Sequence, residues 1–208
     1  MKIGIVDYEL NNINSVKNAL DRLDCENLVI KKLKDFKLAD AIILPGVGSY
    51  GEAISKLNNS KMSEKIYNEV TIKKKPFLGI CLGMQLMSTN GYEGGFFKGL
   101  NLIKGDVKKI IVKKKLKLPH VGWNNIKIIK ENPLFEDIKD NSCFYFVHSY
   151  SYNCNKSNIT SKTDYSTSVI SSIQKKKIFG VQFHPERSQK NGEILISNFI
   201  KFCNKPYA

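Results

Sequence analysis

A cysteine between two glycines is the feature of the sequence with the clearest chemical meaning. Gly79-Ile80-Cys81-Leu82-Gly83 follows an apolar run at 76–80 that is typical of a buried strand, and helical spacing continues from Met84. Small residues on both sides permit a tight strand-to-helix turn that holds a nucleophile clear of the backbone. At a helix N-terminus, peptide dipoles also favour the thiolate, the reactive form of cysteine. The alternative is a small buried cysteine with only a packing role.

A histidine and a glutamate two residues apart supply a base and its partner. His184-Pro185-Glu186 follows the apolar run 179–183, which predicts a strand. Residues two apart in an extended segment point to the same side, and Pro185 stiffens the backbone between them. A carboxylate beside an imidazole orients the ring and stabilises its protonated form, as in nucleophile–base–orienter triads. Alone, the tripeptide is equally compatible with two surface polar residues at a strand end.

Pro45-Gly46-Val47-Gly48 is a third candidate segment, directly after the apolar run 41–44. Glycines at the carboxyl end of a strand allow backbone N–H groups to turn toward a developing oxyanion. A plain tight turn is the alternative for this segment. Ligands of open α/β sheets bind at the carboxyl ends of strands, where all three segments lie. Together they predict a single site.

The elements that must position these segments alternate between strands and helices in the first half of the chain. Strands are predicted at 3–7, 28–31, 41–44 and 76–80, and helices at 13–22, 51–57, 62–70 and after Cys81. Later strands are predicted at 107–112, 125–129, 143–147, 168–172 and 178–183, before a final helix at 193–202. The pattern predicts an α/β fold: a single three-layer domain over 1–208, with a mostly parallel central sheet flanked by helices and extra antiparallel strands in the second half.

Composition narrows the functional class. The 208 residues are 42% hydrophobic and 25% charged, which is typical of a folded globular domain. No run approaches the roughly 18 apolar residues of a membrane helix, and the N-terminal apolar run ends at Asp7, too early for a signal peptide. We therefore expect a cytoplasmic protein without a membrane partner. The five cysteines form no C-x-x-C pair, so neither a disulfide framework nor a metal site is predicted.

The net charge of +14 raises the hypothesis of nucleic-acid binding. Among the basic residues only Arg22 and Arg187 are arginines, although phosphate and base recognition favours the guanidinium group. The lysines are spread in short runs, such as 73–75, 113–115 and 175–177, without interleaved aromatic residues. We therefore expect solvated basic faces and no nucleic-acid partner. A basic docking surface for a phosphorylated substrate or partner is the alternative.

In these segments the chain resembles the class I, or triad-type, glutamine amidotransferases. The similarity rests on 45–48, on Cys81 with Gln85 after it, and on 183–186, and it extends over nearly the whole length. Within that superfamily the chain is most similar to the glutaminase subunits of imidazole glycerol phosphate synthases. This finer resemblance rests on Val6-Asp7-Tyr8, Glu93-Gly94-Gly95, Gly99-Leu100, Pro119-His120-Val121-Gly122-Trp123-Asn124, Tyr145-Phe146-Val147-His148-Ser149-Tyr150 and Ser188-Gln189.

The resemblance implies a flavodoxin-like fold and a role for each residue of the site. Cys81 would attack the side-chain amide of L-glutamine to give a glutamyl thioester and ammonia. His184 would act as general base and then acid, and Glu186 would orient it. Backbone N–H groups of Leu82 and of Val47 or Gly48 would bind the oxyanion. The other residues expected at the glutamine pocket are Gly46, Gln85, His148, Ser149 and Tyr150. No metal or organic cofactor is implied.

The resemblance also implies a partner. The ammonia would pass to a barrel-type synthase (cyclase) subunit, which makes imidazole glycerol phosphate and aminoimidazole carboxamide ribotide in histidine biosynthesis. The two chains would form a heterodimer, with His120 near the interface. Because such glutaminases commonly need their partner to complete the oxyanion hole, we expect the isolated chain to be nearly inactive, with the turn at 46–48 able to flip.

The first loop departs from the family pattern. Relatives commonly read Tyr-Gly-x-Gly-Asn-Leu-Arg-Ser, whereas this chain reads Tyr8-Glu9-Leu10-Asn11-Asn12-Ile13-Asn14-Ser15. Glycine in such a turn usually indicates a positive φ, which Asn11 tolerates and Glu9 tolerates poorly. Since the loop faces the synthase in the family, the departure concerns the partner or its coupling, and not the triad.

Three other functions are compatible with parts of the sequence. A paralogous glutaminase subunit could supply ammonia to a related synthase that amidates a surface sugar, and the altered loop fits such a shift. A non-catalytic regulatory or binding subunit would usually have lost the cysteine or the histidine, and both are present. A cysteine hydrolase or protease also uses a strand–cysteine–helix turn, but Gln85 and the His184–Glu186 pair favour the glutaminase.

Overall fold

Five parallel strands form the part of the central sheet that carries the site. The computed structural model describes residues 1–10, 12–113 and 116–205. Asn11 of the first loop, two lysines of the basic run 113–115 and the predicted domain end at 206–208 therefore lie outside the described residues. In spatial order the parallel strands are β2 (Asn27–Ile30), β1 (Ile3–Val6), β3 (Ala41–Leu44), β4 (Phe77–Ile80) and β14 (Ile178–Val181). This is the strand order of a flavodoxin-like sheet.

Antiparallel strands extend the central sheet and form two smaller sheets. β14 pairs with β13 (Thr167–Lys175), β13 pairs with β12 (Ile159–Tyr165), and β9 (Lys127–Ile128) forms the edge. β8 (His120–Asn125) and β10 (Cys143–His148) form a separate pair. The remaining sheet has the order β11 (Tyr150–Cys154), β7 (Gly105–Lys109), β5 (Asn90–Gly91) and β6 (Phe97–Lys98). The prediction of antiparallel strands in the second half is confirmed.

Helices cover both faces of the parallel strands. Those in the described ranges are α1 (Ile13–Asp21), α2 (Tyr50–Asn59), α3 (Met62–Tyr67), α4 (Leu82–Leu86) and α5 (Gln189–Asn204). Buried side chains of α1 and α5 pack with Ile5 and Phe179 on one face, while those of α2 and α3 pack with Ile42 and Phe77 on the other. Because the central strands are buried on both faces, their sequences are uninterrupted apolar runs. The predicted three-layer α/β fold is confirmed.

The second half is where the prediction of individual elements was incomplete. The strand expected at 125–129 lies earlier, since β8 ends at Asn125 and pairing resumes only over the two residues of β9. β11 and β12 were not predicted, because polar residues interrupt their apolar alternation. In β12 buried hydroxyls bond to the next strand, and Ser161 Oγ lies 2.6 Å from both Ser171 Oγ and Ser172 Oγ. In the first half, the helix expected at 62–70 is divided: the α-helix α3 ends at Tyr67, and a π-helical turn, Asn68–Ile72, follows it directly.

Candidate active site

Cys81 lies at the turn between β4 and α4 in a backbone conformation that residues other than glycine rarely adopt. Its φ is +52° and its ψ is −109°, a strained geometry for any residue except glycine. A Cβ at Gly83 would overlap the carbonyl oxygen of Leu44, and a Cβ at Gly79 would press on the backbone of Gly83 and Met84. The flanking glycines therefore permit the turn, which has the geometry of a nucleophile elbow.

The parallel pairing of β4 and β14 brings His184 beside the cysteine. Val181 pairs with Ile80, the residue before Cys81, so the segment after β14 passes close to the sulfur. His184 Nδ1 lies 2.8 Å from Glu186 Oε1, and the two side chains are only 3% and 2% exposed. The histidine and the glutamate are therefore a hydrogen-bonded pair inside the protein rather than two surface groups.

The other ring nitrogen of His184 faces Cys81. His184 Nε2 is buried and has no hydrogen-bond partner among the described residues. The Cys81 sulfur is nevertheless close enough to influence the pKa of the ring. Burial by itself lowers the pKa of the imidazole. The interaction with Cys81, followed by that with Glu186, outweighs burial and raises the pKa to about 10. The ring is therefore an imidazolium at neutral pH, and it lies between the Glu186 carboxylate and the Cys81 sulfur.

Ser188 holds the backbone that carries His184. Its buried hydroxyl donates to the His184 carbonyl oxygen at 2.6 Å and accepts the Tyr145 N–H at 3.0 Å. The His184 N–H donates to the Tyr145 carbonyl oxygen at 2.8 Å. β10 is thereby tied to the histidine through three hydrogen bonds. From the sequence, Ser188 was named only as part of the resemblance. Its spacing was a signal, because a serine hydroxyl often donates to the carbonyl oxygen of the residue four positions earlier.

The turn after β3 lies beside the nucleophile, but one of its N–H groups is engaged elsewhere. The Val47 N–H donates to the Leu10 carbonyl oxygen of the first loop at 3.3 Å, so it is not free to bind an oxyanion in this conformation. Gly48 borders the pocket with a φ of +94°. Gly46, which was expected beside the substrate, does not border it, because this residue packs on the Tyr8 hydroxyl, where a Cβ would clash. Its role in the structure is packing beneath the turn.

A pocket of about 200 Å³ opens in front of the sulfur. It is bordered by every residue predicted for the site except Gly46 and Glu186. The lining residues are Val47, Gly48, Cys81, Leu82, Gln85, Glu93, Val147, His148, Ser149, Tyr150 and His184. Glu93 was not assigned to the site from the sequence, although the motif at 93–95 was available as a signal. Its Oε2 accepts the Tyr50 N–H at 2.8 Å, which places a carboxylate both at the start of α2 and on the pocket wall.

Two buried glutamines lie behind the sulfur, and only one of them was predicted. Gln85 Nε2 donates to the Tyr150 carbonyl oxygen and to Gln182 Oε1, both at 3.0 Å. Gln182 Nε2 lies 3.8 Å from Cys81 Sγ, within hydrogen-bond distance for sulfur. Gln182 stands two residues before His184 near the end of a predicted strand, so the alternation of side chains was a signal for its proximity to the site.

His148 and His120 form a neutral pair behind the pocket wall. The pairing of β8 with β10 sets them opposite each other, and His120 Nδ1 lies 3.0 Å from His148 Nε2. His148 Nδ1 donates to the Tyr150 carbonyl oxygen at 2.8 Å, so its Nε2 accepts and His120 donates. Burial is the main cause that lowers the pKa of each ring to about 4. His120 is thus buried, whereas its neighbours Val121 and Trp123 are 55% and 48% exposed.

The arrangement is suited to nucleophilic attack on a carbonyl carbon. A thiol, an imidazolium and a carboxylate follow one another beside a small pocket, and the Leu82 N–H lies at the start of the helix after the thiol. Within residues 1–10, 12–113 and 116–205, no group of three or more histidine, cysteine, aspartate or glutamate side chains is arranged to hold a metal ion. The same ranges contain no helix long and apolar enough to cross a membrane.

Sequence comparison finds close relatives over almost the whole chain. The family described as Glutamine amidotransferase class-I matches residues 5–202. The chain is 43% identical over 199 residues to "Imidazole glycerol phosphate synthase subunit HisH 1" of Campylobacter jejuni subsp. jejuni serotype O:23/36 (strain 81-176), which covers 96% of this chain and 99% of the relative. It is 44% identical over 199 residues to the HisH subunit of Methanocaldococcus jannaschii, covering 96% and 98% of the two chains.

Solved structures share the fold at low sequence identity. PurLQS from Thermotoga maritima superposes with a TM-score of 0.75 at 18% identity, over 97% of this chain and 98% of that one. A glutamine amidotransferase from the same organism superposes with a TM-score of 0.67 at 16% identity, over 97% and 83% of the two chains. These likenesses establish the architecture.

Proposed function

The chain belongs to the class I glutamine amidotransferases, and from this membership we propose that it is the glutaminase subunit of an imidazole glycerol phosphate synthase. It hydrolyses L-glutamine to glutamate and ammonia for histidine biosynthesis. The observation that carries the proposal is the buried series Cys81, His184 and Glu186 beside the pocket. The HisH relatives, which match this chain over nearly their full length, support the pathway.

Cys81 is the nucleophile of the proposed reaction. Its thiolate attacks the carbonyl carbon of the glutamine side-chain amide, and the C=O electron pair moves onto the oxygen. The His184 imidazolium gives its proton to the amide nitrogen as the C–N bond breaks, so that ammonia leaves and a glutamyl thioester remains. Water then attacks the thioester carbon while His184 accepts its proton. The thiolate leaves, and glutamate is released.

The oxyanion needs two backbone donors, and one of the two candidates for the second donor is engaged in the structure. The Leu82 N–H at the start of α4 is the first, and an N–H of Val47 or Gly48 is the second. Because the Val47 N–H donates to the Leu10 carbonyl oxygen, this group must turn before it can serve. That contact supports a low basal rate for the isolated chain and connects the first loop to catalysis.

The ammonia passes to a barrel-type synthase subunit within a heterodimer. Val121 and Trp123 expose large apolar side chains on β8, and such exposed groups are typical of docking surfaces. They follow His120 along the same strand, and the His120 hydrogen bond reaches the pocket wall at His148. This position supports docking of the synthase close to the glutaminase site. We also place the protein in the cytoplasm.

A synthase that amidates a surface sugar is the second candidate acceptor, and Glu9 is the observation in its favour. Glu9 occupies a family glycine position and adopts a φ of +68°, so the loop keeps a glycine-like backbone at this point. Its carboxylate, 82% exposed, pairs with Lys56 at 3.1 Å. The loop therefore carries a charged side chain, paired with Lys56, at a position where the family has glycine. This difference fits a different partner.

Glutamate release from L-glutamine tests the proposal directly. The purified chain is assayed alone, with the histidine-pathway synthase subunit of the same source, and with that subunit plus its ribulosyl substrate. We expect strong stimulation that is lost in Cys81→Ala and kept in Cys143→Ala, a control at a half-buried cysteine outside the pocket.

The possible results separate chemistry from pathway. No glutamate release under any condition, from a folded chain with an active synthase, would overturn the glutaminase assignment. Basal release without stimulation would keep the chemistry and point to another acceptor, with the loop at Glu9 as the reason. Cleavage of peptides without glutamine would favour a cysteine protease instead.

A further inference from the structure

Gln182 is a completely buried polar residue that touches the sulfur of Cys81. Its side-chain amide lies between two residues of the proposed site. Its Oε1 accepts an N–H of Gln85 at 3.0 Å, and its Nε2 lies 3.8 Å from Cys81 Sγ. A buried amide is costly to leave unpaired, so these contacts determine where its oxygen and nitrogen lie.

The orientation of the Gln182 amide follows from a peptide carbonyl. The Tyr150 oxygen can only accept, and it receives N–H groups from Gln85 at 3.0 Å and from His148 at 2.8 Å. Gln85 must therefore present its nitrogen on this side, and the second hydrogen of that nitrogen is donated to Gln182. Since Gln182 meets Gln85 with its oxygen, its own NH₂ group faces the sulfur.

The hydrogen-bond partner available to the Cys81 sulfur depends on the protonation state of the sulfur. As a thiol, Cys81 donates weakly to the Val147 carbonyl oxygen at 3.7 Å. As a thiolate it has no hydrogen to donate and can only accept, and the Gln182 N–H is directed at it. A hydrogen bond to a charged acceptor is about twice as strong as a neutral one. The contact with Gln182 therefore stabilises the thiolate more than the thiol.

We propose that Gln182 is a positioning residue for the nucleophile, which it holds toward the pocket and stabilises as the thiolate by donating an N–H. The inference rests on the proposed function of Cys81. The other polar group that interacts with the sulfur is the His184 ring. Both neighbours favour the charged form of the sulfur, which borders the pocket.

Two substitutions separate donation to sulfur from support of Gln85. Gln182→Glu keeps the size and an acceptor for Gln85 but replaces the N–H donor with a carboxyl group, which repels a thiolate when ionised, whereas Gln182→Met removes both donor and acceptor. Alkylation of Cys81 by iodoacetamide is followed against pH by mass spectrometry, which resolves this cysteine from the other four. We expect the rise of reactivity with pH to move upward by about one pH unit or more in both variants, and kcat for glutamine to fall roughly 10- to 100-fold with a smaller change in KM.

Gln174→Glu is the matched control, because it makes the same chemical change at a residue whose amide bonds to the Lys176 carbonyl, away from the pocket. Folded Gln182 variants with a wild-type alkylation profile would overturn the proposal. A normal profile and kcat in Gln182→Glu with losses only in Gln182→Met would also overturn it, since support of Gln85 would then be the whole role. Alkylation requires no glutamine, so a shifted profile in a chain without glutaminase activity would reject the proposed function and leave only the effect of Gln182 on the sulfur standing.

The unmodified protein offers a test that does not depend on how variants fold. The side-chain amide protons of Gln182 are followed by NMR as pH is raised through the range in which alkylation of Cys81 becomes fast. We expect their resonances to shift in the wild type and to stay constant in Cys81→Ala. Constant resonances in both proteins would show that the amide does not bond to the thiolate.

Discussion

His120 Nδ1 donates to His148 Nε2 at 3.0 Å, and this contact joins the strand that exposes Trp123 to a wall of the pocket. The His120 ring also stacks on Tyr165, with the ring centroids 4.0 Å apart and the planes 18° from parallel. Its Nε2 lies 3.2 Å from the Asn124 amide nitrogen. The ring is therefore held in one position and one tautomer.

Replacing His120 with phenylalanine keeps the stacking and removes the hydrogen bond to His148. A neutral hydrogen bond contributes about 1 kcal/mol, so we expect KM for glutamine to rise about fivefold with less change in kcat. Steady-state glutaminase kinetics with the stimulating partner measure this. Tyr165→Phe, which keeps the ring and loses only a bond to the Lys117 carbonyl, is the control. An unchanged KM in the folded variant would mean that His148 is held without His120.

Substitutions of Cys81 separate catalysis from backbone strain. Cys81→Ala and Cys81→Gly should both lose glutaminase activity by at least about 10³-fold, since each lacks the nucleophile. Glycine adopts the φ of +52° without strain, so we expect Cys81→Gly to be more stable than Cys81→Ala by about 1 kcal/mol. Urea unfolding of the two variants compares their free energies of unfolding. Failure of Cys81→Ala to fold would favour a packing role for the cysteine.

The pH dependence of the reaction should change in Glu186→Gln. The raised pKa of His184, about 10, keeps the ring protonated at neutral pH, and the proton that it gives to the leaving amide nitrogen is lost only as pH approaches that value. Removing the charge of Glu186 removes one cause of the rise, so the alkaline decline of kcat/KM should move to lower pH. Profiles from pH 6 to 10 measure the shift. Superimposable profiles would show that Glu186 does not act on the ring.

Glu69 should make stability sensitive to acid. Its buried carboxylate pairs with Lys65 at 3.0 Å and with Lys73 and Lys75 at 2.8 Å. Burial raises the pKa of Glu69, but the three ammonium groups outweigh it and lower the pKa from 4.5 to about 2. Because the folded-state pKa is depressed, this stabilisation is complete above the unfolded pKa and is lost as pH falls toward 2.

Glu69→Gln is expected to lower the free energy of unfolding by about 2 kcal/mol at neutral pH. The difference from wild type should shrink as pH falls below about 4.5, where the carboxylate becomes protonated in the unfolded chain but not yet in the folded one, and it should vanish near pH 2. Denaturant unfolding at several pH values checks both statements. Glu52→Gln, at an exposed position on α2, should have little effect at any pH. A difference that does not depend on pH would contradict the ion-pair explanation.

Glu9→Gly should stabilise the chain. Glu9 has a φ of +68°, and its ion pair with Lys56 is mostly exposed. An exposed pair contributes little, whereas the left-handed conformation costs a non-glycine residue about 1 kcal/mol. We therefore expect a gain of about 1 kcal/mol in the free energy of unfolding. Glu9→Ala, which loses the pair and keeps the strain, is the comparison. A loss of stability in Glu9→Gly would show that the carboxylate matters more than the backbone.

The sequence by itself determined the fold class and the reactive groups. The glycines around Cys81, the alternation that pairs His184 with Glu186 and the apolar runs of the parallel strands are local requirements, each written in a few adjacent residues. For that reason they could be read without coordinates. Cys81, His184 and the turn after β3 follow parallel strands whose carboxyl ends meet at one edge of the sheet, so their proximity was predictable. Gln85, His148, Ser149 and Tyr150 were predicted only from the resemblance to the family.

Only the tertiary structure decided how these groups are held. It brought Gln182 to the sulfur across 101 positions of sequence and His120 to His148 across 28. It also turned the Val47 N–H toward Leu10 and left Gly46 outside the pocket. These contacts depend on strand register and on which polar groups find partners once water is excluded. Hydrophobic periodicity carries no information about either, because it specifies which face is buried and not which donor meets which acceptor.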